Sequence, residues 1–252
     1  MFNKRHSQRT AFTLIELLAA LAVLSMLVIM LFMAFSNVNR MIILGSNKME
    51  KNQVVRAVLQ QIARDLERAA YSSVGTNMYL ASATANTILG ISFSNSILYC
   101  LSALSESEGC TNGSAVNVGY RVTQITENNY GTVQKHALQR GSDAGTRPPV
   151  DWTTYSPPAT FWQTLSDNIV GIDFQFYTDA VYSVSAADGW PTSATTNSLP
   201  TSVGITIWAI DSASYNLALK LESTDSTTAK RILTNNTHQY TSRVFLPQST
   251  QN

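Results

Sequence analysis

Residues Phe12 to Phe35 are almost all apolar, and the one charged side chain among them is Glu16, four residues after the run begins. A helix needs about 20 apolar residues to cross a bilayer, so this run is long enough. A carboxylate inside hydrocarbon costs about 2.5–3.5 kcal/mol on insertion scales, and such groups are seldom left without a partner. The flank in front is basic, with Lys4, Arg5, His6 and Arg9. Positive flanks stay in the cytoplasm, which puts the rest of the chain across the membrane. If the chain is cut between Ala11 and Phe12, the new amine of Phe12 is a cation at the head of the same helix. One chain's amine can then pair with a neighbouring chain's Glu16, and the buried carboxylate becomes the register mark of an assembly.

Three plainer readings compete. A secretory signal has a shorter apolar core with a small-residue cut behind it. Ala34 and Ser36 mimic such a cut, but the core is too long and opens with a carboxylate. A simple membrane anchor has no use for Glu16. A buried core helix of a soluble protein would not follow a basic flank.

The block Phe12, Thr13, Leu14, Ile15 and Glu16, with the basic leader before it and the apolar run after it, resembles the N-terminal signature of type IV prepilins and type II secretion pseudopilins. That family usually has Gly immediately before the cut. This chain has Ala11, the smallest change available, so slower cleavage is expected rather than none. The resemblance implies cleavage between Ala11 and Phe12 by prepilin peptidase, N-methylation of Phe12, and assembly through Glu16. It also implies an inner-membrane assembly platform and other pilin or pseudopilin subunits as partners.

The length of 252 residues and formal charge of +1 leave roughly 200 residues beyond the anchor, enough for one domain with a real core. Scattered Lys and Arg give no basic face of the kind that nucleic-acid binding needs. The two cysteines are Cys100 and Cys110. In an oxidising periplasm the pair is expected to form a disulfide closing a small loop. The alternative is one buried and one exposed thiol. Two cysteines without nearby His do not make a zinc site.

Phe12 to about Ala70 reads as one long helix. In its second half Val55, Val58, Leu59, Ile62, Leu66 and Ala69 recur at three and four and share a face. Lys51, Arg56, Gln60, Arg64 and Glu67 occupy much of the remainder, and Arg64 with Asp65 reads as a solvated face. Gly45, beside Ser46 and Asn47, marks a place where the helix is expected to bend or melt. From Tyr71 on the chain is β-like. Strands are expected at Thr87 to Phe93, Ile97 to Leu101, Asn117 to Ile125, Val133 to Arg140, Ile169 to Tyr177, Val203 to Asp211, Tyr215 to Leu221 and Ser242 to Leu246. The clearest is Ile169 to Tyr177, where Val170, Ile172, Phe174 and Phe176 alternate with Gly171, Asp173 and Gln175. Clusters of Gly, Ser, Asn and Pro make surface loops of Ser142 to Pro158 and Ala187 to Pro200.

The later blocks RAVLQQIARDLERAA, VGYRV with ALQRG, TLSDNIVGIDFQFY, SVGITIWAID and SRVFLP are similar to the body of the minor pseudopilin J and PilW group. They resemble still more the prepilins called Verru_Chthon cassette protein C. The implied fold is α+β, pilin-like, with a long N-terminal helix laid on an antiparallel sheet. The implied organisation is a leader at 1–11, a transmembrane and assembly half-helix at 12–36, an amphipathic half-helix at 37–70 and a periplasmic β-rich domain at 71–252.

Catalytic groupings are poor. His6 belongs to the leader, His136 to a strand and His238 to a polar loop, and none has partners at metal-ligand or triad spacing. No cofactor is expected. Asp179 and Asp188 flank a turn that could hold calcium, although the necessary cluster of oxygens is not evident. Trp152, Tyr155, Phe161 and Trp162 form either a binding patch or a loop pinned to the core by aromatics. The reading is a structural prepilin-like subunit, not an enzyme. It enters a type II secretion pseudopilus or a type IV pilus-like filament, as a minor component. The rival is a membrane-anchored periplasmic binding or adhesive protein that does not assemble, for which Glu16 would be dispensable.

Overall fold

A computed structural model of the protein describes residues 14–69, 78–82, 84–103, 115–127, 133–143, 157, 159–177, 183–185 and 200–246. The chain divides into two compact units, residues 1–46 and 47–252. The first helix, α1, runs from Leu14 to Glu67 and so contributes to both. It is helical through Gly45, so of the expected bend or melting the helix does not melt there. A single glycine in a long helix costs only about 1 kcal/mol, which its neighbours absorb.

Among the described residues the second unit holds eleven strands, two further α-helices and a short 3-10 helix at Ala159–Phe161. The strands are β1 (Met78–Ser82), β2 (Asn86–Ile88), β3 (Ile91–Phe93), β4 (Ser96–Ala103), β5 (Ala115–Glu127) and β6 (Val133–Asp143). They continue with β7 (Trp162–Ser166), β8 (Ile169–Tyr177), β9 (Ser183–Ser185), β10 (Ser202–Ala209) and β11 (His238–Phe245). One sheet has the order β1-β4-β5-β6-β7, a second β11-β10-β8-β9, and β2 and β3 form a small hairpin. Among the described residues these strands pair antiparallel. The expected α+β class, a long N-terminal helix with antiparallel sheet, is the observed one.

The helical stripe Val55, Val58, Ile62, Leu66 and Ala69 packs into one core with residues of both larger sheets, including Leu98, Val118, Leu138, Phe174 and Ile205. Each fully buried Val, Ile or Leu there contributes about 1.5–3 kcal/mol. The helices α2 (Ser212–Leu221) and α3 (Ser226–Asn236) share a second core with the β2–β3 hairpin and Val170. Ile172, Phe174 and Phe176 face the main core as their alternation requires, but Val170 does not. The ladder to β10 pairs Gly171 with Trp208 and then Ile169 with Ala209. Val170 is the extra residue of a bulge, and a one-residue slip turns a side chain to the opposite face.

Several expectations need correction. Tyr215 to Leu221 is helix, not strand. The Asp211 carboxylate accepts the backbone N–H of Ser214 at 2.8 Å and caps α2, whose buried residues Tyr215 and Ala218 are three apart. Asp225 caps α3 in the same way through Thr228. Thr87 to Phe93 is two strands, because Leu89 and Gly90 both take positive φ, 53° and 73°, and close a tight turn. The β1, β7 and β9 strands lie outside every segment expected to be extended. Most of the two expected long loops lies outside the described residues.

Glycines clear one face of the five-stranded sheet. Gly119 and Gly141 are cross-strand partners, and the rings of Tyr99, Phe161 and Trp162 lie over them. A Cβ on Gly141 would sit 1.8 Å from the Phe161 ring. Phe161 is therefore a structural anchor with Trp162 packed edge-on against it at 4.9 Å between centroids; Trp152 and Tyr155 lie outside the described residues. Gly141→Ala is expected to cost about 1–3 kcal/mol through overpacking. A shift in urea midpoint for the full chain in detergent measures it, and an unchanged midpoint would contradict the packing described.

Candidate functional site

The described part of the first unit is the apolar half of α1. The described side chains from Leu14 to Ser46 are exposed, among them Leu14, Ile15, Leu24 and Phe32. Glu16 is the acidic residue of the first turn of α1. Ala11 and Phe12, the expected cut and methylation residues, lie outside the described residues. Among the described residues, α1 is the helix long and apolar enough to cross a membrane. A helix that is apolar all round needs lipid or other helices as its solvent.

The second half of α1 is fixed to the domain by charges as well as by its apolar stripe. Asp65 was expected on a solvated face beside Arg64. Arg64 is exposed, but Asp65 is only 1% exposed. Its carboxylate lies against β5 and β6, where Tyr120 and Arg140 are cross-strand partners. The Arg140 guanidinium donates from Nε to Oδ2 at 2.7 Å and from Nη2 to Oδ1 at 3.2 Å. The Tyr120 hydroxyl also donates to Oδ2, and Gln61 Nε2 donates to Oδ1 at 3.3 Å from one helical turn earlier. A buried charge with this many donors is tolerated, whereas removing its cation is not. Burial, followed by the adjacent Asp65 charge, pushes the Tyr120 hydroxyl well above its ordinary value.

A second fixture sits about four turns earlier on the helix. Lys51, expected among the outward-facing residues, is buried, and its ammonium donates to the carbonyl of Asn236 at 3.3 Å. That carbonyl belongs to the last residue of α3, where the helix dipole favours a cation. Burial lowers the Lys51 pKa. The next residue, Asn52, accepts a hydrogen bond from the Tyr240 hydroxyl of β11 at 2.7 Å. Both fixtures lie within the second unit, so its share of α1 is held at both ends.

The remaining candidates for chemistry stay apart. Cys100 is a free thiol, fully buried on β4 in the main core, and burial raises its pKa. Cys110, its expected disulfide partner, lies outside the described residues, as do Asp179 and Asp188. His136 is half-buried on β6, where its backbone N–H donates to the Tyr215 hydroxyl at 2.9 Å. Burial lowers the His136 pKa and raises that of Tyr215 to about 12. His238 is exposed at the start of β11. No group of three or more His, Cys, Asp or Glu able to hold a metal occurs among the described residues.

Residues 6–32 match the family model described as the prokaryotic N-terminal methylation motif. The match spans the end of the basic leader, the Phe12–Glu16 block and most of the apolar run. The match is confined to the N-terminal segment and leaves the domain from residue 47 onward outside it. No curated protein matches the chain. Among solved structures the chain is similar to the "Type IV-like pilin TTHA1219 from Thermus thermophilus", at 12% identity and a TM-score of 0.42. That likeness covers 78% of this chain and 96% of the other.

Proposed function

We propose that the protein is a minor subunit of a type II secretion pseudopilus or a type IV pilus-like filament. Prepilin peptidase cuts between Ala11 and Phe12 on the cytoplasmic side of the inner membrane, and the new Phe12 amine is methylated. The helix from Phe12 to about Ser36 then spans the membrane with the folded domain in the periplasm. An inner-membrane platform lifts the subunit into a filament, where its Glu16 pairs with the Phe12 amine of a neighbour. The observation that carries this reading is the match of the methylation motif across residues 6–32, which takes in Phe12, Glu16 and most of the apolar run.

The α1 fixtures support the same role. A subunit held in a filament by one helix transmits load through that helix to its domain. Asp65 ties the helix to β5 and β6, and Lys51 ties it to the end of α3, where an apolar stripe alone could slide. Processing is tested at the residue before the cut. Ala11→Leu is expected to leave the full-length precursor as the main species in membranes, and Ala11→Gly to be cut at least as fast as the natural chain. A gel shift or intact mass reads both. Complete processing of Ala11→Leu would remove the peptidase from the account.

A further inference from the structure

Among the described residues, the sheet ordered β11-β10-β8-β9 ends on β11. A strand in that position carries a row of backbone N–H and C=O groups with no partner strand. Proteins usually blunt such an edge with proline, a bulge, a short strand or projecting charge. Here β11 pairs with β10 over eight residues without a register shift, and its sequence HQYTSRVF holds no proline. Leu246, just past the strand, donates its N–H to the Thr201 carbonyl at 3.0 Å. The alternation of an antiparallel ladder then turns the backbone groups of Gln239, Thr241, Arg243 and Phe245 toward the open edge. All four residues are exposed, Phe245 by 67%.

Arg243 does not project as a screening charge. Its Nε donates to Ser202 Oγ of β10 at 2.8 Å. Its guanidinium lies 3.9 Å from the ring centre of Tyr177 on β8 and 5.5 Å from that of Phe245. Tyr177 reaches across Gly204, where a Cβ would stand 3.1 Å from the ring. The cation is thus held on the outer side of the sheet beside two aromatics, and the edge next to it is left open. Tyrosine and arginine are among the residues that most often anchor protein interfaces.

We propose that β11 is a docking edge for an extended, acidic segment of another protein, which adds to the sheet as one more strand and sets an Asp or Glu opposite Arg243. Backbone pairing supplies the affinity of such a contact, and alternate side chains supply its specificity. Charge selects the occupant. Asp173 of β8 shares the outer face with Arg243 but accepts a hydrogen bond from Ser96 Oγ at 2.6 Å. A second copy of this chain fits less well, because the edge strands β1, β7, β9 and β11 contain no Asp or Glu. The inference uses residues of the second unit alone and holds whether or not the chain enters a filament.

Selection of random phage-displayed peptides of about twelve residues, longer than a typical strand, on the full chain in nanodiscs tests this. The expected result is enrichment of sequences with strand-like alternation and an Asp or Glu on one side of it. The strongest such peptide is then made with N-methyl groups on one alternate set of backbone amides, and again on the other set. One of the two should bind at least about ten-fold more weakly than the other, because an added strand pairs through a single set. Thr241→Pro removes an N–H that faces outward, which edge strands tolerate. It should weaken binding about ten-fold at an unchanged urea midpoint. Arg243→Gln should weaken it about three-fold, the size of a cross-strand charge pair. No enrichment, enriched peptides without an acidic residue, or equal affinity of the two methylated peptides would overturn the proposal. Full binding by Thr241→Pro would do the same. If Thr241→Pro lowers the midpoint, the methylated pair decides alone. Self-association of the chain through β11 would give this edge to a second copy and also overturn the proposal.

Discussion

Arg140→Leu is expected to destabilise the folded domain by about 3–5 kcal/mol, because it leaves the Asp65 carboxylate buried without its cation. That is a large part of the 5–15 kcal/mol that holds a typical domain together. The effect should exceed that of any exposed charge on the same helix, such as Arg56 or Arg64, where about 0.5 kcal/mol or less is expected. The double variant Asp65→Leu, Arg140→Met should recover much of the loss, since an apolar pair of similar volume often replaces a buried ion pair at little cost. Urea unfolding of the full chain in detergent, by fluorescence, measures all of these. A loss under about 1 kcal/mol for Arg140→Leu would place the pair in the class of solvated surface bridges and contradict its burial. The pH dependence has a definite sign. Tyr120 is raised above its ordinary value of 10 in the folded state, so the unfolded chain releases that proton first. Its contribution is complete below about pH 10 and is lost as pH rises beyond.

Glu16→Leu is expected to abolish assembly while sparing every earlier step. In a lone helix hydrocarbon disfavours the charged carboxylate, so the leucine variant should insert as well as the natural chain or better. Cleavage after Ala11 should continue. Incorporation into filaments should fall at least about ten-fold, because the inter-subunit pair with the Phe12 amine is gone and ~1.4 kcal/mol suffices for that factor. Crosslinking between helices of adjacent subunits, with processing followed in the same samples, separates the steps. Equal crosslinking by Glu16→Leu and the natural chain would show that pairing is not the task of Glu16, and would favour a protein that is only anchored.

The N-terminal segment was legible because its signal is local. Length, apolarity, flanking charge and one carboxylate can all be read in order along one short stretch of sequence. The amphipathic stripe from Val55 to Ala69 was legible for the same reason, since its spacing is the helix period itself. Asp65 was not, because what buries it is far away in sequence. Its partners Tyr120 and Arg140 are distant in the chain, and only the β5–β6 register makes them neighbours. The signal was present in three separate blocks, ARD, GYR and QRG, each a lone polar residue on an otherwise apolar inner face. Lys51 misled in the same way, since a lysine at a helix edge looks solvated until a helix terminus is packed against it. Tyr215 to Leu221 misled through composition. Apolar residues are frequent there, and the Asp211 cap with a spacing of three between Tyr215 and Ala218 outweighs their alternation. Val170 could not have been placed from its pattern, because a bulge changes the face without changing the sequence period.

The N-terminus of the protein purified from membranes carries the central claim. Intact and peptide mass spectrometry should find a chain that begins at Phe12 and carries one added methyl group on its amine. That result requires cleavage after Ala11 and methylation of the new amine, the two steps that precede any pairing with a neighbour's Glu16. A terminus near Asn37 would instead show removal of the whole apolar segment as an ordinary secretory signal, leaving no helix with which to assemble.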